Sequence, residues 1–243
     1  MMNWATPVGL VGGVGLTHLR VYEQRPAPDG KMSGSAHVHG VTDEAYYVLA
    51  GAGAVELLDV ERGYRSVSLA RGSYVHFTAG TLHRIVSTGG LEVLAIMGNA
   101  GLPERGDARI YFGRAVDEEP GAYERLDALS RHAGLEGALE RRDASVRALM
   151  DLVGLWERDR AAFARELQRF IDLHARVMAE RRAELAEAIE EGPGRWSRLA
   201  LDRLAALPAP VGAPMSAAAA HGGGGTAYGM CGILNPVHCL DRV

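Results

Sequence analysis

The feature that most constrains this chain is a spaced set of three histidines and one glutamate. A His-X-His pair is followed five residues later by a glutamate and about forty positions further on by a third histidine: His37, His39, Glu44 and His83. Strand side chains alternate between two faces, so the paired histidines point the same way. Residues 40–43 are typical of a turn, after which Glu44 can return to that face. The spacing therefore predicts strands that converge on one polar site.

The residue types at this site indicate a metal ion. Three neutral imidazoles and one carboxylate suit a borderline divalent transition metal such as Fe, Mn, Ni, Cu or Zn. Four protein ligands on an octahedral ion leave two positions for substrate, water or dioxygen, which is the open arrangement of a catalytic site. The alternative is that these are polar strand residues that face solvent.

The first stretch resembles the first signature motif of the cupin superfamily. That motif is G(X)5HXH(X)3–4E(X)6G, in which the histidines and the glutamate are metal ligands. His37, His39, Glu44 and Gly51 match it at the required spacing, and Lys31 stands at the position of the leading glycine. The departure does not fall on a ligand position.

The second stretch resembles the second cupin motif, G(X)5PXG(X)2H(X)3N. Gly72, Gly80 and His83 match it, whereas Thr78 replaces the proline and Ser87 the asparagine. The ligand position is again intact. The resemblance covers roughly residues 16–98, which is under half of the chain.

The resemblance implies a mainly β jelly-roll, the double-stranded β-helix barrel of cupins, followed here by an α-helical C-terminal region. Cupins that keep all four ligands are most often dioxygenases, which implies one Fe-type metal ion and a small polar substrate. The superfamily also includes isomerases and epimerases, in which the ion is a Lewis acid. Non-catalytic ligand-binding barrels and storage-like structural barrels are further alternatives, although a structural barrel has no need of four inward ligands.

Two residues near the motifs are candidates for a catalytic role. Counting by twos from Glu44 places Tyr46 on the inner face, where its hydroxyl can act as an acid or base or anchor a substrate; a packed aromatic is the alternative. His76 lies before the second motif turn and can orient a ligand imidazole, or be an ordinary core or surface histidine.

Four other polar residues are weaker candidates for contact with a substrate. The strand over residues 16–25 would border the pocket mouth, so His18 and Tyr22 can reach substrate, or they are simply surface or packed residues. Arg84 and Arg20 are the only basic candidates near the motifs for binding a carboxylate or phosphate.

The chain divides into a cupin barrel over residues 1–115, an α-helical region over 116–207 and a flexible Ala/Pro/Gly-rich tail over 208–243. Steps of three and four place an apolar stripe on one helical face, buried against the barrel, its own helices or a second subunit. Asp159 is a candidate N-cap, so a two-helix hairpin is an alternative to one long helix. The stripe consists of Leu139, Val146, Leu149, Val153, Trp156, Phe163, Leu167, Phe170, His174 and Val177.

The only two cysteines, Cys231 and Cys239, lie in the expected tail. They can close a small loop or bind a metal with His221, and an unused, disordered tail is the alternative.

Composition limits the partners. The formal net charge of −4 gives no electrostatic reason to bind nucleic acid or a membrane surface. The N-terminal stretch lacks the basic region of a secretory signal. We therefore expect a cytoplasmic protein that binds a small molecule. The apolar helical stripe predicts either a homo-oligomer, most simply a dimer, or a cap on the pocket.

Overall fold

The computed structural model describes residues 10–207, 219–223 and 225–242. The strands of the barrel are β1 (Gly15–Val21), β2 (Met32–Ser33), β3 (His37–His39), β4 (Glu44–Asp59), β5 (Gly63–Ala70), β6 (Tyr74–Phe77), β7 (Leu82–Met97) and β8 (Ala108–Ile110). The helices are α1 (Arg114–Glu118), α2 (Ala122–Asp127), α3 (Leu129–Arg158), α4 (Arg160–Ala179), α5 (Arg182–Ile189) and α6 (Arg195–Ala205). The C-terminal strands are β9 (Ala219–Gly223), β10 (Ala227–Tyr228) and β11 (Gly232–Arg242).

Antiparallel strands form the expected jelly-roll, and helices follow it. The long strands β4 and β7 pair along most of their length, β1 and β3 join β7, and β5 and β6 join β4. Residues 50–53, Ala-Gly-Ala-Gly, have the composition of a turn, but β4 continues through them with shifts of register against β7. Gly51 has φ 72°, and a Cβ there would lie 2.1 Å from the carbonyl oxygen of Gly90. The glycines therefore serve a bulge rather than a chain reversal.

Alternation along the strands separates two apolar cores. Leu57 faces the barrel interior with Tyr46 and Val48, whereas its neighbour Leu58 faces the helices. On β3 the same alternation turns His37 and His39 inward and places Val38 against the helices. The barrel wall therefore supports the candidate site on one face and the helical region on the other.

The helical region is a hairpin that packs on the barrel. Asp159 separates α3 from α4, and its Oδ1 accepts a hydrogen bond from the amide of Ala162 at 2.9 Å, as an N-cap does. Most of the apolar stripe is buried against both the barrel and the neighbouring helix, whereas Val177 at its end is 40% exposed. The shared core contains Ala36, Val38, Leu58, Leu82 and Tyr111 from the barrel side and Leu149, Leu152, Phe163, Leu167 and Phe170 from the helices. None of the described helices combines the length and hydropathy needed to cross a bilayer.

The expected flexible tail is wrong for the described part of that segment. Strand β11 pairs antiparallel with β1, in the register Leu19 to Leu234, and so adds a strand to the barrel. Burial of apolar side chains such as Leu234, together with backbone pairing, outweighs the Ala/Gly-rich composition upstream. Residues 208–218 lie outside the described residues.

Candidate metal centre

The four motif residues meet inside the barrel. His37 and His39 lie on β3, Glu44 begins β4 and His83 lies near the start of β7, directly opposite His37. One potential ligand atom from each lies within 4.8 Å of all the others. All four side chains are buried. The spacing in the sequence thus corresponds to one cluster in space.

Each histidine is oriented by a hydrogen bond from its Nδ1. The Nδ1 of His37 lies 3.1 Å from the carbonyl oxygen of Ser35, and that of His83 lies 3.0 Å from the carbonyl oxygen of Thr81. The Nδ1 of His39 lies 3.1 Å from Oδ2 of Asp107. Because all three partners are acceptors, each Nδ1 carries the proton and donates it. In a neutral ring the Nε2 lone pair is then free to bind a cation.

The three Nε2 atoms and the Glu44 carboxylate converge. The Nε2 atoms of His83 and His37 are 3.1 Å apart, and Oε2 of Glu44 lies 3.0 Å from Nε2 of His83 and 3.3 Å from Nε2 of His39. Two ligand atoms about 2.1 Å from one ion are about 3.0 Å apart at a right angle and about 3.4 Å apart at the tetrahedral angle.

These distances fit a divalent ion better than they fit a hydrogen-bond network. Two Nε2 lone pairs that face each other repel unless a cation or a proton lies between them. Oε2 of Glu44 is buried and lacks the alignment of a hydrogen bond with either imidazole. The donor set therefore fits the group that the motif implies.

The electrostatics of the cluster favour a bound positive charge. Burial lowers the pKa of His39, but the carboxylates of Asp107 and Glu44 outweigh that effect and raise it to about 9. Burial raises the pKa of Glu44, but His39 and His83 outweigh it and hold that pKa well below its ordinary value. Burial and the neighbouring imidazoles lower the pKa of His37 far below its usual range. A metal ion would therefore displace a proton from His39 and bind a neutral His37.

Asp107 is a neighbour of the candidate ligands that the sequence reasoning missed. It is fully buried just before β8, and its Oδ1 accepts hydrogen bonds from the amides of Gly40 and Val41 at 3.0 and 2.7 Å. Because its Oδ2 accepts a hydrogen bond from Nδ1 of His39, the carboxylate holds both a candidate ligand and the turn at residues 40–43 that follows it. No spacing rule connects Asp107 to the motifs.

Tyr46 lies where the alternation predicts, buried inside the barrel next to the cluster. Its ring packs edge-on against Phe77, and its hydroxyl lies 3.8 Å from Sγ of Cys231. Burial, with the nearby Cys231 and Glu44, raises the pKa of Tyr46 well above its ordinary value. The hydroxyl therefore keeps its proton at neutral pH.

The other candidates lie away from the cluster. His76 is exposed on β6 with its ring beside Tyr74, so it does not orient a ligand. It alternates away from the interior because it lies one position before the buried Phe77. His18 is half-buried and pairs with Glu92 at 2.8 Å, while Tyr22 is buried and donates to the backbone of the C-terminal segment.

Arg84 is not a substrate anchor in this structure. Its guanidinium is buried and pairs with Glu56 at 2.6 Å and with Asp29 at 2.7 Å. Because it follows His83 directly, it points to the opposite side of β7. Arg20 is exposed on β1.

Cys231 also lies beside the cluster, whereas the sequence analysis considered it only together with Cys239 and His221. The β10–β11 connection places it in the barrel core, with Sγ 3.4 Å from Nε2 of His37. Burial raises the pKa of this thiol well above its ordinary value. A distance of 194 positions along the chain separates the two residues, so no local pattern points to their contact. The side chains of Cys239 and His221 lie outside the described residues.

Comparison with known families agrees with the fold and the cluster. Residues 25–97 match the sequence profile of the cupin domain family, and this interval contains all four candidate ligands. The barrel, the ligand spacing and this match together show a cupin domain over this interval, which is less than a third of the chain. No curated protein sequence matches the chain.

Matches to solved structures over part of the chain include several cupins. Oxalate decarboxylase from Bacillus subtilis shares 18% identity over 51% of this chain and 30% of that chain, with a TM-score of 0.35. A predicted oxalate decarboxylase from Thermotoga maritima shares 26% identity over 34% and 63%, with a TM-score of 0.27. A cupin protein from Bacteroides fragilis shares 20% identity over 36% and 65%, with a TM-score of 0.26. In each case the match spans less than two thirds of the other protein.

Proposed function

We propose that this protein is a metal-dependent cupin enzyme that acts on a small polar molecule. The activity that we propose is that of a mononuclear dioxygenase or oxygenase of the Fe type. The observation that carries the proposal is the convergence of three Nε2 atoms whose Nδ1 positions are all committed to acceptors. His37, His39, Glu44 and His83 would hold one divalent transition metal ion. Iron is our first choice, and Mn, Ni, Cu or Zn are alternatives.

A bound ion of this kind would supply Lewis acidity and, if it is redox-active, electrons for dioxygen chemistry. The chain's own contribution is to hold the ligand side chains in the orientation that binding requires before the ion arrives. Ser35, Thr81 and Asp107 keep the three imidazoles in the Nε2-ligand tautomer. The barrel core around them excludes water, which strengthens every charge interaction in the site.

The surroundings constrain the substrate. Arg84 is neutralised by two carboxylates, and Arg20 is exposed, so neither candidate offers a free guanidinium to the cluster. We infer a neutral or singly charged small molecule that is held mainly by the ion and by the Tyr46 hydroxyl. The apolar side chains around Tyr46 would limit its size.

One observation favours a second candidate, an isomerase or epimerase. The Tyr46 side chain is buried inside the barrel beside the cluster, with its ring centroid 6.5 Å from that of His83. A protonated phenol can donate a hydrogen bond to an oxygen that develops negative charge when a proton leaves the adjacent carbon. In this reaction the Tyr46 hydroxyl would stabilise that oxygen by a hydrogen bond, and dioxygen would not be consumed.

Metal content and oxygen uptake of anaerobically purified protein test the proposal. The wild type should hold about one ion per chain, and the double variant His37→Ala/His39→Ala should hold almost none. The matched control is His76→Ala, which removes an exposed histidine outside the cluster and should bind metal like the wild type.

The outcomes separate the candidates. Stoichiometric iron, or another redox metal, with oxygen uptake supports the oxygenase. Zinc or manganese without oxygen chemistry supports the isomerase or epimerase. A folded wild type that binds no divalent ion, even after addition, overturns both and leaves a non-catalytic ligand-binding barrel. A homodimer and a cytoplasmic location stay predictions.

A further inference from the structure

A thiol lies beside the candidate ligands. Sγ of Cys231 is 3.4 Å from Nε2 of His37, the nitrogen that also lies 3.1 Å from Nε2 of His83. The Cys231 side chain is buried, and its other polar neighbour is the Tyr46 hydroxyl at 3.8 Å. The sulfur atom of Cys231 therefore lies next to Nε2 of His37, which is the atom of His37 that would bind the metal ion.

The segment that carries this thiol, residues 228–232, is held on three sides. Arg141, buried on α3, donates hydrogen bonds to the carbonyl oxygens of Gly229 at 2.8 Å and Tyr228 at 3.2 Å. The Tyr22 hydroxyl donates to the same Gly229 oxygen at 2.9 Å. The amide of Ser35 donates to the carbonyl oxygen of Met230 at 2.8 Å. This side-chain position is therefore built by the barrel and the helices together.

The backbone approach is equally close. A Cβ on Gly34 would lie 2.6 Å from the Cα of Cys231, and a Cβ on Gly232 would lie 2.2 Å from the carbonyl oxygen of Arg20. Both contacts are too short for any side chain. Glycine on each side lets the 228–232 segment sit against β1 and the loop before β3.

The distance from Sγ of Cys231 to Nε2 of His37 is compatible with a bond to the same ion. Sγ lies outside the group of four ligand atoms that are all within 4.8 Å of one another, so the sulfur would move toward the ion on binding. A sulfur about 2.3 Å and a nitrogen about 2.1 Å from one ion are about 3.1 Å apart at a right angle and about 3.6 Å apart at the tetrahedral angle. The observed 3.4 Å lies between these values. The unaligned, buried Oε2 of Glu44 is an independent sign that the cluster is completed by a cation.

We propose that Cys231 is a fifth protein ligand, so that the C-terminal segment completes a metal centre of three histidines, one glutamate and one cysteine. The inference rests on the proposed metal site and adds a soft ligand to it, which leaves one position of an octahedral ion, instead of two, for substrate, water or dioxygen. On binding, the S–H bond breaks, its proton leaves to solvent, and the sulfur lone pair binds the ion, with no change of oxidation state. Thiolate ligation favours the softer transition metals over Mg²⁺ or Ca²⁺.

Cobalt(II) reports thiolate ligation directly, without any assay of activity. The chelator-stripped full chain is loaded with Co²⁺ under anaerobic conditions, and its absorption spectrum and cobalt content are recorded. Because the chain has two cysteines, the variant Cys239→Ser leaves Cys231 as its only thiol. We expect a sulfur-to-cobalt charge-transfer band in the wild type and in Cys239→Ser, and its loss in Cys231→Ser and Cys231→Ala with cobalt still bound.

The result from Cys239→Ser decides the question even if the Cys231 variants fail to fold. Cobalt bound to this variant without a charge-transfer band overturns the thiolate ligand and leaves the four-ligand site intact. No cobalt bound at all overturns the proposed metal site itself. The band in Cys239→Ser supports the ligand, because no other thiol remains.

Discussion

His174 donates a hydrogen bond from Nε2 to the backbone carbonyl oxygen of Asp107, and the two atoms are 2.7 Å apart. His174 lies on α4, whereas the Asp107 carboxylate holds the Nδ1 of His39 inside the barrel. One residue thus joins the helical region to the candidate ligands. The helices therefore help to set the geometry of the site as well as covering one face of the barrel.

Asp107→Asn should weaken metal binding while leaving the protein folded. The carboxylate accepts one hydrogen bond from His39 and two from backbone amides, and an amide group can accept only part of them. Loss of such a support of a ligand imidazole typically lowers metal affinity by about 10- to 100-fold. Competition with a chelator of known affinity measures the change.

Asp43→Asn is the matched control for that experiment. Asp43 also follows the His-X-His pair, and its Oδ1 accepts a hydrogen bond from the amide of Ala79 at 2.9 Å, but it does not contact His39. Its metal affinity should stay close to that of the wild type. Equal losses in the two variants would show that the loop as a whole, rather than the hydrogen bond to His39, governs binding.

His174→Gln should flatten the acid side of the stability profile. Burial lowers the pKa of His174 below 6.5, its ordinary value. As the pH falls through 6.5 the unfolded chain therefore takes up a proton that the folded chain refuses, so the free energy of unfolding falls with decreasing pH until the folded pKa is reached. The slope is at most about 1.4 kcal/mol per pH unit for one proton.

Denaturant titrations of chelator-treated protein between pH 7 and pH 5 measure this slope. Glutamine can donate to the Asp107 carbonyl but does not titrate, so its profile should be shallower. The exposed His132→Gln should follow the wild type. If the His174→Gln profile is as steep as that of the wild type, the acid sensitivity arises from other groups.

Three members of the ligand cluster could be predicted from local geometry. The period of two on a strand fixes His37 and His39 on one face, and a short turn returns Glu44 to it. The same alternation predicted the inward Tyr46. His83 is 46 positions from His37 and meets it through the pairing of β3 with β7, so its place in the cluster was predicted from the motif resemblance.

Asp107 and Cys231 could not be predicted, because each reaches the cluster through long-range pairing. Cys231 depends on the register of β11 against β1, and that register is fixed by apolar burial and by Arg141 rather than by any nearby residue. The Ala/Gly-rich composition led to the wrong prediction of a flexible tail, because the stretch precedes β11, which pairs with β1 near the other end of the chain.

Phe170→Ala should destabilise the barrel and the helices together. Phe170 is fully buried on α4, and its ring packs edge-on against Tyr111, with 5.0 Å between the ring centroids. Truncating a buried aromatic to alanine costs about 3–5 kcal/mol because a cavity remains. Chemical denaturation should show one transition at lower denaturant. The exposed Met150→Ala should change stability by less than about 0.5 kcal/mol, and a similarly small effect of Phe170→Ala would mean that the helices dock weakly.

Gly34→Ala should push the 228–232 segment away from the cluster. The new Cβ would lie 2.6 Å from both the Cα and the carbonyl oxygen of Cys231, and neither backbone atom can move without the segment. In the Cys239→Ser background, alkylation of the remaining thiol should become on the order of tenfold faster, because local opening then exposes it more often. Gly89→Ala is the control, since nothing lies within 4 Å of a Cβ there. An unchanged alkylation rate in a folded Gly34→Ala variant would show that the segment accommodates the new Cβ without exposing the Cys231 thiol to solvent.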